Sequence, residues 1–198
     1  VPADVFEMLE MTNKTAEEVF SLLDNLLKWT KSQLGKLSNV PQSIDMVGLV
    51  NGVIEVFKPI AGSKSISLKL DSAVESVHVT VDIEMIKSVV RNLISNAIKF
   101  SHKDTAVVVH VKVQEVADEN RTEAGNDKEV LVTVSDSGCG IKKEDQEKLL
   151  NEATHFTTFG TDSEEGSGLG LLLCKDFVSK NHGRLWFTSE EGVGSNFY

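Results

Sequence analysis

The chain is short of basic residues: 20 Lys and Arg stand against 30 Asp and Glu, a formal net charge of −10 over 198 residues. That deficit argues against a nucleic-acid binder, which presents a basic patch, and against docking on an anionic membrane surface. Cysteine is scarce as well. Cys139 and Cys174 make no disulfide framework, so a reducing compartment is expected. Neither has a metal-ligating partner at short spacing, and both read as small buried fillers. No run approaches the roughly 18 apolar residues of a spanning helix, and no basic-then-apolar leader opens the chain. An opening Val1 in place of Met suggests a piece excised from a longer parent. A cytoplasmic module is expected, with any membrane anchor elsewhere in that parent. There is no internal repeat.

What remains is enough for one core plus an extra element. Residues 3 to about 37 read as one helix, uninterrupted by Gly or Pro between Pro2 and Gly35. Val5, Leu9, Thr12, Ala16, Val19, Leu23, Leu26 and Thr30 form a stripe at three-four spacing, with charges largely off it. Such a helix is about 50 Å long at 1.5 Å per residue, longer than a small domain is wide. Its stripe calls for a bundle partner. Ser38–Ser43 is a polar, Pro-containing break, which divides the chain into residues 1–40 and 41–198.

Beyond the break the elements alternate. Met46 to about Lys58 reads as a helix stopped by Pro59. Ser65–Leu70 and Ser76–Val81 alternate like strands and suggest a hairpin. Asp82 is placed to cap a helix running to Phe100. Thr105–Val116 is a strand with Val107, Val109, Val111 and Val113 on one face. Residues 117–128 are polar and read as a mobile hairpin tip, with Glu129–Ser135 returning. A short helix from about Lys143 to Asn151, a glycine-rich stretch, a helix from about Leu169 to Lys180, and a closing strand pair (Arg184–Thr188, Ser195–Tyr198) follow. Trp186 reads as a strand core residue and Trp29 as a bundle packing residue. The fold class is α+β: a two-layer α/β sandwich whose mixed, mainly antiparallel sheet is covered on one face by helices, preceded by one long bundle helix.

Three short patterns carry chemistry. Asn92 and Asn96 share a helix face, four residues apart, and Lys99 joins them. Two amides and an ammonium on an otherwise apolar helix fit either a solvated face or a site. An Asn oxygen suits a hard divalent cation that keeps waters and phosphates as its other ligands. Asp136-Ser137-Gly138-Cys139-Gly140 follows an apolar strand. It reads as a turn, or as a carboxylate that accepts from an exocyclic amine while glycines let the backbone approach a flat ligand. Gly166-Ser167-Gly168-Leu169-Gly170-Leu171 opens a helix, where glycines and free N–H groups make an anion cradle. It has neither the lysine of a phosphate loop nor the preceding strand of a dinucleotide fingerprint.

In that order and setting, the three patterns resemble the catalytic ATP-binding domain of sensor histidine kinases. These belong to the ATPase superfamily that includes gyrase and the ninety-kilodalton heat-shock chaperone. The resemblance covers roughly residues 44–198, with Gly183–Phe187 and Gly192-x-Gly194-Ser195-x-Phe197 similar to the family's last strands. Leu22–Trp29 resembles the second helix of the kinases' dimerisation and phosphotransfer bundle.

The resemblance implies ATP and Mg²⁺ as cofactors, and catalytic roles for Asn92, Asn96 and Lys99. Asn96 would coordinate Mg²⁺, Asn92 would support the metal and phosphate shell, and Lys99 would meet phosphate. Phe100 would line the site. Asp136 would recognise the adenine amine in a pocket shaped by Gly138 and Gly140, with Ser195 bonding the adenine edge through water. Gly166, Gly168, Leu169 and Gly170 would bring N–H groups to the phosphates and hinge a lid spanning residues 152–165, with Phe156 and Phe159 in the family's aromatic positions.

Hydrolytic relatives carry a Glu where this chain has Asn92, and Asn cannot act as a general base. The implied reaction is therefore transfer of the γ-phosphoryl to a histidine. No histidine here (His78, His102, His110, His155, His182) is followed by an acidic residue. The acceptor is expected on a separate bundle helix, and a response regulator receiver domain is the expected next partner. Half a bundle would also self-associate through residues 5–30. The rival readings are a nucleotide-binding module without kinase activity and a hydrolytic ATPase of the same superfamily.

Overall fold

The computed structural model describes Val5, Met8, Thr12, Ala16, Val19, Phe20, Leu23, Asp24 and residues 26–32, 34–35, 37–115, 128–150, 160–161 and 168–198. Every described residue between positions 5 and 32 is helical. The helix ends where Gly35 takes a left-handed φ of +63°, its N–H donating to the Ser32 carbonyl (3.0 Å). That conformation suits glycine and explains why the run stops short of position 37.

Two features of the next segment differ from expectation. Ser43 belongs not to a break but to strand β1 (Gln42–Asp45), and helix α1 (Met46–Ser63) runs through Pro59 instead of stopping. Proline removes the N–H that would bond the Glu55 carbonyl, but both residues are exposed, so water can serve that carbonyl. Asp45 caps the helix, accepting from Val47 N–H and Gly48 N–H (both 3.2 Å). Among the described residues, α1 alone is long and apolar enough to cross a membrane by length and composition. Its apolar face (Val50, Val53, Ile54, Ala61) is buried in the core.

Strands β2 (Ser67–Ser72) and β3 (His78–Val81) do not form the expected hairpin. Strand β2 pairs in parallel with β4 (Ala106–Glu115), and β3 pairs antiparallel with β1. The connection decides this. Val77 N–H donates to Asp45 Oδ1 (3.0 Å) and Met46 N–H to the Val77 carbonyl (2.9 Å), which draws β3 to β1. Ala73 N–H stays with β4 through the Val111 carbonyl.

Helix α2 (Ile83–Phe100) begins at Asp82, whose carboxylate accepts from Glu84 and Met85 N–H (3.0 Å each). Strand β5 (Lys128–Asp136) returns antiparallel to β4. The expected hairpin tip lies outside the described residues except for Lys128, which is in the strand. Helix α3 (Lys143–Leu149), helix α4 (Gly170–Lys180) and strands β6 (Phe187–Glu190) and β7 (Gly194–Phe197) complete the order.

The main sheet runs β2-β4-β5-β7-β6, parallel only at β2·β4. Val107, Val109 and Val111 alternate onto its inner face. There they meet Met85, Val89, Leu93, Ile94 and Ala97 of α2 and Leu173 and Phe177 of α4, all buried. This is the expected sandwich. Trp186 is a correction: at 37% exposure it is not a core residue. It stacks on Tyr198 (centroids 5.2 Å) with the Arg184 guanidinium 5.5 Å from its ring.

The N-terminal helix rests on the domain. Ser32 is buried and bonded to Asp176 and Lys180 of α4, which pair with each other at 2.6 Å. Asn39 Nδ2 donates to the Lys180 carbonyl (2.6 Å), and Val40 N–H to Asp82 Oδ2 (2.9 Å). Trp29 packs partly buried against the domain's core. Val19, Phe20, Leu23, Leu26 and Leu27 remain exposed.

Candidate active site

The amphipathic pattern of α2 puts its apolar stripe on the sheet and leaves Asn92, Asn96, Lys99 and Phe100 outside that stripe. Asn96 Nδ2 donates to Asn92 Oδ1 (3.1 Å), so the Asn96 oxygen is the end of that amide left for a ligand. Gly170, the first residue of α4, lies against Asn92, and a Cβ there would run into the amide. Lys99 Nζ sits 4.9 Å from the Phe100 ring centroid.

The end of β5 meets the end of α2. Cys139 N–H donates to the Phe100 carbonyl (3.1 Å), and Ser101 bridges to Gly138. Gly138 has no room for a Cβ, which would strike the Phe100 carbonyl. Gly140, at φ +63°, would strike the Glu190 carbonyl. Both glycines are therefore required by close backbone approach, and Gly140 by its conformation as well.

Asp136 Oδ1 accepts from Gly138 N–H (2.9 Å) and Ser195 N–H (3.3 Å), opposite which it lies in the β5–β7 register. Burial pushes this carboxyl above its ordinary value, opposed by the two backbone N–H groups. Ser195 is 5% exposed and its Oγ shares a hydrogen bond with Ser189 Oγ (2.9 Å).

These elements enclose a cavity of about 330 Å³. Of the residues expected from the sequence, Asn96, Phe100, Asp136, Gly140 and Ser195 line it. Asn92, Lys99, Gly138, Gly168, Leu169 and Gly170 are not among its lining residues. Asn92 bonds to Asn96, Lys99 sits over Phe100, Gly138 backs Phe100, and the last three open α4. The N-cap residue Leu169 makes no side-chain capping bond of its own, and Gly168 has a φ of +69°. Gly166 and the expected lid, apart from Gly160 and Thr161, lie outside the described residues.

The sequence reading missed several lining residues. Ile141, Leu149 and Leu171 make an apolar wall, while Lys142, Asp145 and Glu191 stand at the cavity from the α3 side and the β6–β7 turn. Ile141 and Leu149 belong to no motif, and Leu171 closes the glycine-rich pattern without an assigned role; the three come from separate segments of the chain. Cys139 also lines the cavity. Its place inside the glycine motif was a signal, and the filler reading overlooked it. A cavity with an apolar wall, the half-buried Asp136 carboxylate and an amide oxygen suits a heterocycle together with a phosphate-bound hard cation. Among the described residues no cluster of three His, Cys, Asp or Glu could hold a metal by itself.

Residues 81–198 match the family model described as histidine kinase-, DNA gyrase B- and HSP90-like ATPase. The sensor protein EvgS of Escherichia coli K12 is 31% identical over 192 residues, covering 96% of this chain and 15% of EvgS. The adaptive-response sensory kinase SasA of a Synechococcus strain is 28% identical, covering 97% of this chain and 48% of SasA. The chain thus spans at most about half the length of these relatives. Among solved structures, ShkA in complex with AMPPNP superposes with a TM-score of 0.74 at 20% identity, covering 100% of this chain and 38% of ShkA. ThkA in complex with the response regulator TrrA gives 0.70 at 19% identity, covering 100% of this chain and 51% of ThkA. The chain belongs to the family of histidine kinase-, DNA gyrase B- and HSP90-like ATPases, an ATP-binding fold, and the relatives it resembles along nearly its whole length are sensor kinases.

Proposed function

We propose that residues 41–198 are the ATP-binding kinase module of a sensor histidine kinase, and that residues 1–40 are the second helix of its dimerisation and phosphotransfer bundle. The observation that carries the reading is Asp136. This half-buried carboxylate has one oxygen held by two backbone N–H groups and lines a cavity that also holds the Asn96 amide. Such a carboxylate accepts from the exocyclic amine of adenine. Phe100, Ile141 and Leu171 supply apolar walls for the ring, and Ser195 stands beside Asp136 to bond the ring edge through water.

The residues fit Mg²⁺ as a phosphate-bound ion. Asn96 would hold it through Oδ1, because its Nδ2 is taken by Asn92. When bound, the metal would supply charge neutralisation at the phosphates. The chain's own residues do the rest. Asn92 orients Asn96, Lys99 brings a cation to the phosphate end, and the glycine-rich start of α4, with Gly166, Gly168, Leu169 and Gly170, would turn N–H groups toward the phosphates. No carboxylate stands at Asn92 to activate water, so hydrolysis is slow and the group goes to a histidine. That histidine is supplied by a separate bundle helix, and a receiver domain then takes the phosphoryl group. The module faces the cytoplasm, where ATP is. Exposed Val19, Phe20, Leu23, Leu26 and Leu27 are the surface through which the bundle, and a second copy, would pack.

Calorimetry with ATP and ADP, with and without Mg²⁺, tests the reading. Mg²⁺-dependent binding, and transfer of labelled γ-phosphate to an added His-bearing bundle with little release of free phosphate, is the expected result. Rapid phosphate release without a histidine acceptor would favour a hydrolytic enzyme. Absence of nucleotide binding would overturn the proposal.

A further inference from the structure

We infer that Lys64 is a positioning residue for the nucleotide site: it pins the last turn of α2, and through it Thr161 in the connection between α3 and α4. The inference rests on the nucleotide reading above.

The last four carbonyls of a helix have no intrahelical donors and need partners from elsewhere. In α2 each partner is identifiable. The Ala97 carbonyl takes Ser101 N–H (3.1 Å) and the Phe100 carbonyl takes Cys139 N–H (3.1 Å). The Ile98 carbonyl takes Lys64 Nζ (3.2 Å). The Lys99 carbonyl takes Lys64 Nζ (3.2 Å), Thr161 N–H (3.1 Å) and Thr161 Oγ1 (3.0 Å). Lys64 Nζ also donates to Thr161 Oγ1 (3.1 Å), and that hydroxyl lies 2.9 Å from the Ser101 carbonyl.

One ammonium therefore binds two adjacent carbonyls at the partially negative helix end and the hydroxyl of a residue far away in sequence. The lysine is itself well held. It is the C-cap of α1, its N–H donating to the Ala61 carbonyl, and the carbonyl of the next residue, Ser65, accepts from Asp104 N–H (3.1 Å).

The location gives this pin a function. The turn it fastens bears Lys99 and Phe100, and the Phe100 carbonyl anchors Cys139 of the glycine loop beside Asp136. Thr161 belongs to neither sheet nor helix, and it joins the α2 end to the segment leading into Gly168 and α4. Lys64 is absent from the cavity lining, so it acts through α2 and Thr161 rather than on the nucleotide.

Three variants separate this from a general packing role. Lys64→Met keeps the aliphatic stem and removes the donor, Lys64→Arg keeps a cation, and Thr161→Val keeps the shape and removes the hydroxyl. The readouts are calorimetric affinity for Mg-ATP and amide exchange at Thr161 and at core Val109. Lys64→Met should weaken Mg-ATP binding about tenfold and Thr161→Val about fivefold, with the double variant within about twofold of Lys64→Met because both cut one network. Lys64→Arg should retain most of the affinity. The Thr161 amide should exchange about tenfold faster in Lys64→Met while Val109 is unchanged.

Native binding together with unchanged affinity in Lys64→Met and Thr161→Val would overturn the pin alone. So would equal acceleration at Val109, which would mark general destabilisation. A native chain that binds neither Mg-ATP nor Mg-ADP would overturn the functional reading itself and the pin's role with it.

Discussion

Asp136 hangs both of its backbone hydrogen bonds on the same oxygen, Oδ1. An Asn at this position keeps both bonds and changes only the second atom, from an acceptor to a donor. Asp136→Asn should therefore fold normally and lose about 10- to 150-fold in ADP affinity, the roughly 1.5–3 kcal/mol of a hydrogen bond to a charged group. The stability sign follows from burial, which raises this carboxyl above its ordinary value. The folded chain holds the proton more readily than the unfolded chain. Stability from this group is thus present at low pH and lost as pH rises through the raised value. At neutral pH the ionised carboxylate costs the apo fold something, and the thermal midpoint of Asp136→Asn should equal or exceed the native one. Nucleotide affinity should run the opposite way, falling as pH drops through the raised value in the native chain and staying flat in the variant. The cysteines make a second test at this scale. Burial pushes the Cys174 thiol up to about 12, and it is fully enclosed. Cys139 is raised less, by burial first and then the Asp136 charge, and it lines the cavity. Alkylation of the native chain should modify Cys139 first and be slowed by ADP, with Cys174 reacting only on unfolding.

At the scale of elements, glycines separate into those that geometry demands and those it does not. Gly52 lies within α1 with open space where a methyl would stand, so Gly52→Ala should raise stability by about 0.5–1 kcal/mol in chemical denaturation. Gly138→Ala drives a methyl into the Phe100 carbonyl, a backbone atom that cannot swing away. It should cost about 1–3 kcal/mol and weaken nucleotide binding. Sequence motifs named Gly138 but not its reason, since the opposing carbonyl comes from a helix 38 positions away. Element boundaries show the same division. Asp82 and its helix were legible because a cap is local. Continuation of α1 past Pro59 was not, because it depends on whether the orphaned Glu55 carbonyl faces water.

For the whole molecule, the polar triad Ser32, Asp176 and Lys180 joins the N-terminal helix to α4, the helix whose first residue packs on Asn92. Removing the shared carboxylate leaves Ser32 and Lys180 without their common acceptor. In a Trp186→Phe background, where Trp29 is the sole indole, Asp176→Ala should shift Trp29 emission to the red as the helix loosens from the core it packs against. An unchanged spectrum would mean that apolar packing around Trp29 holds the helix by itself.

Much of this protein was determined by sequence alone. The helix periodicities, the Asp82 cap, the valine face of β4 and the three motifs depend on neighbours within a few positions, where spacing and chemistry are visible in a linear chain. Tertiary structure decided the rest. It paired β2 with β4 and β3 with β1 where alternation suggested a hairpin, because a strand's partner is chosen by the sheet and by hydrogen bonds such as Val77 to Asp45. It also put Asn96, Asp136 and Ser195 around one cavity and held the end of α2 with the lysine that caps α1. Those contacts join residues tens of positions apart, and only the packed core brings them within hydrogen-bonding distance.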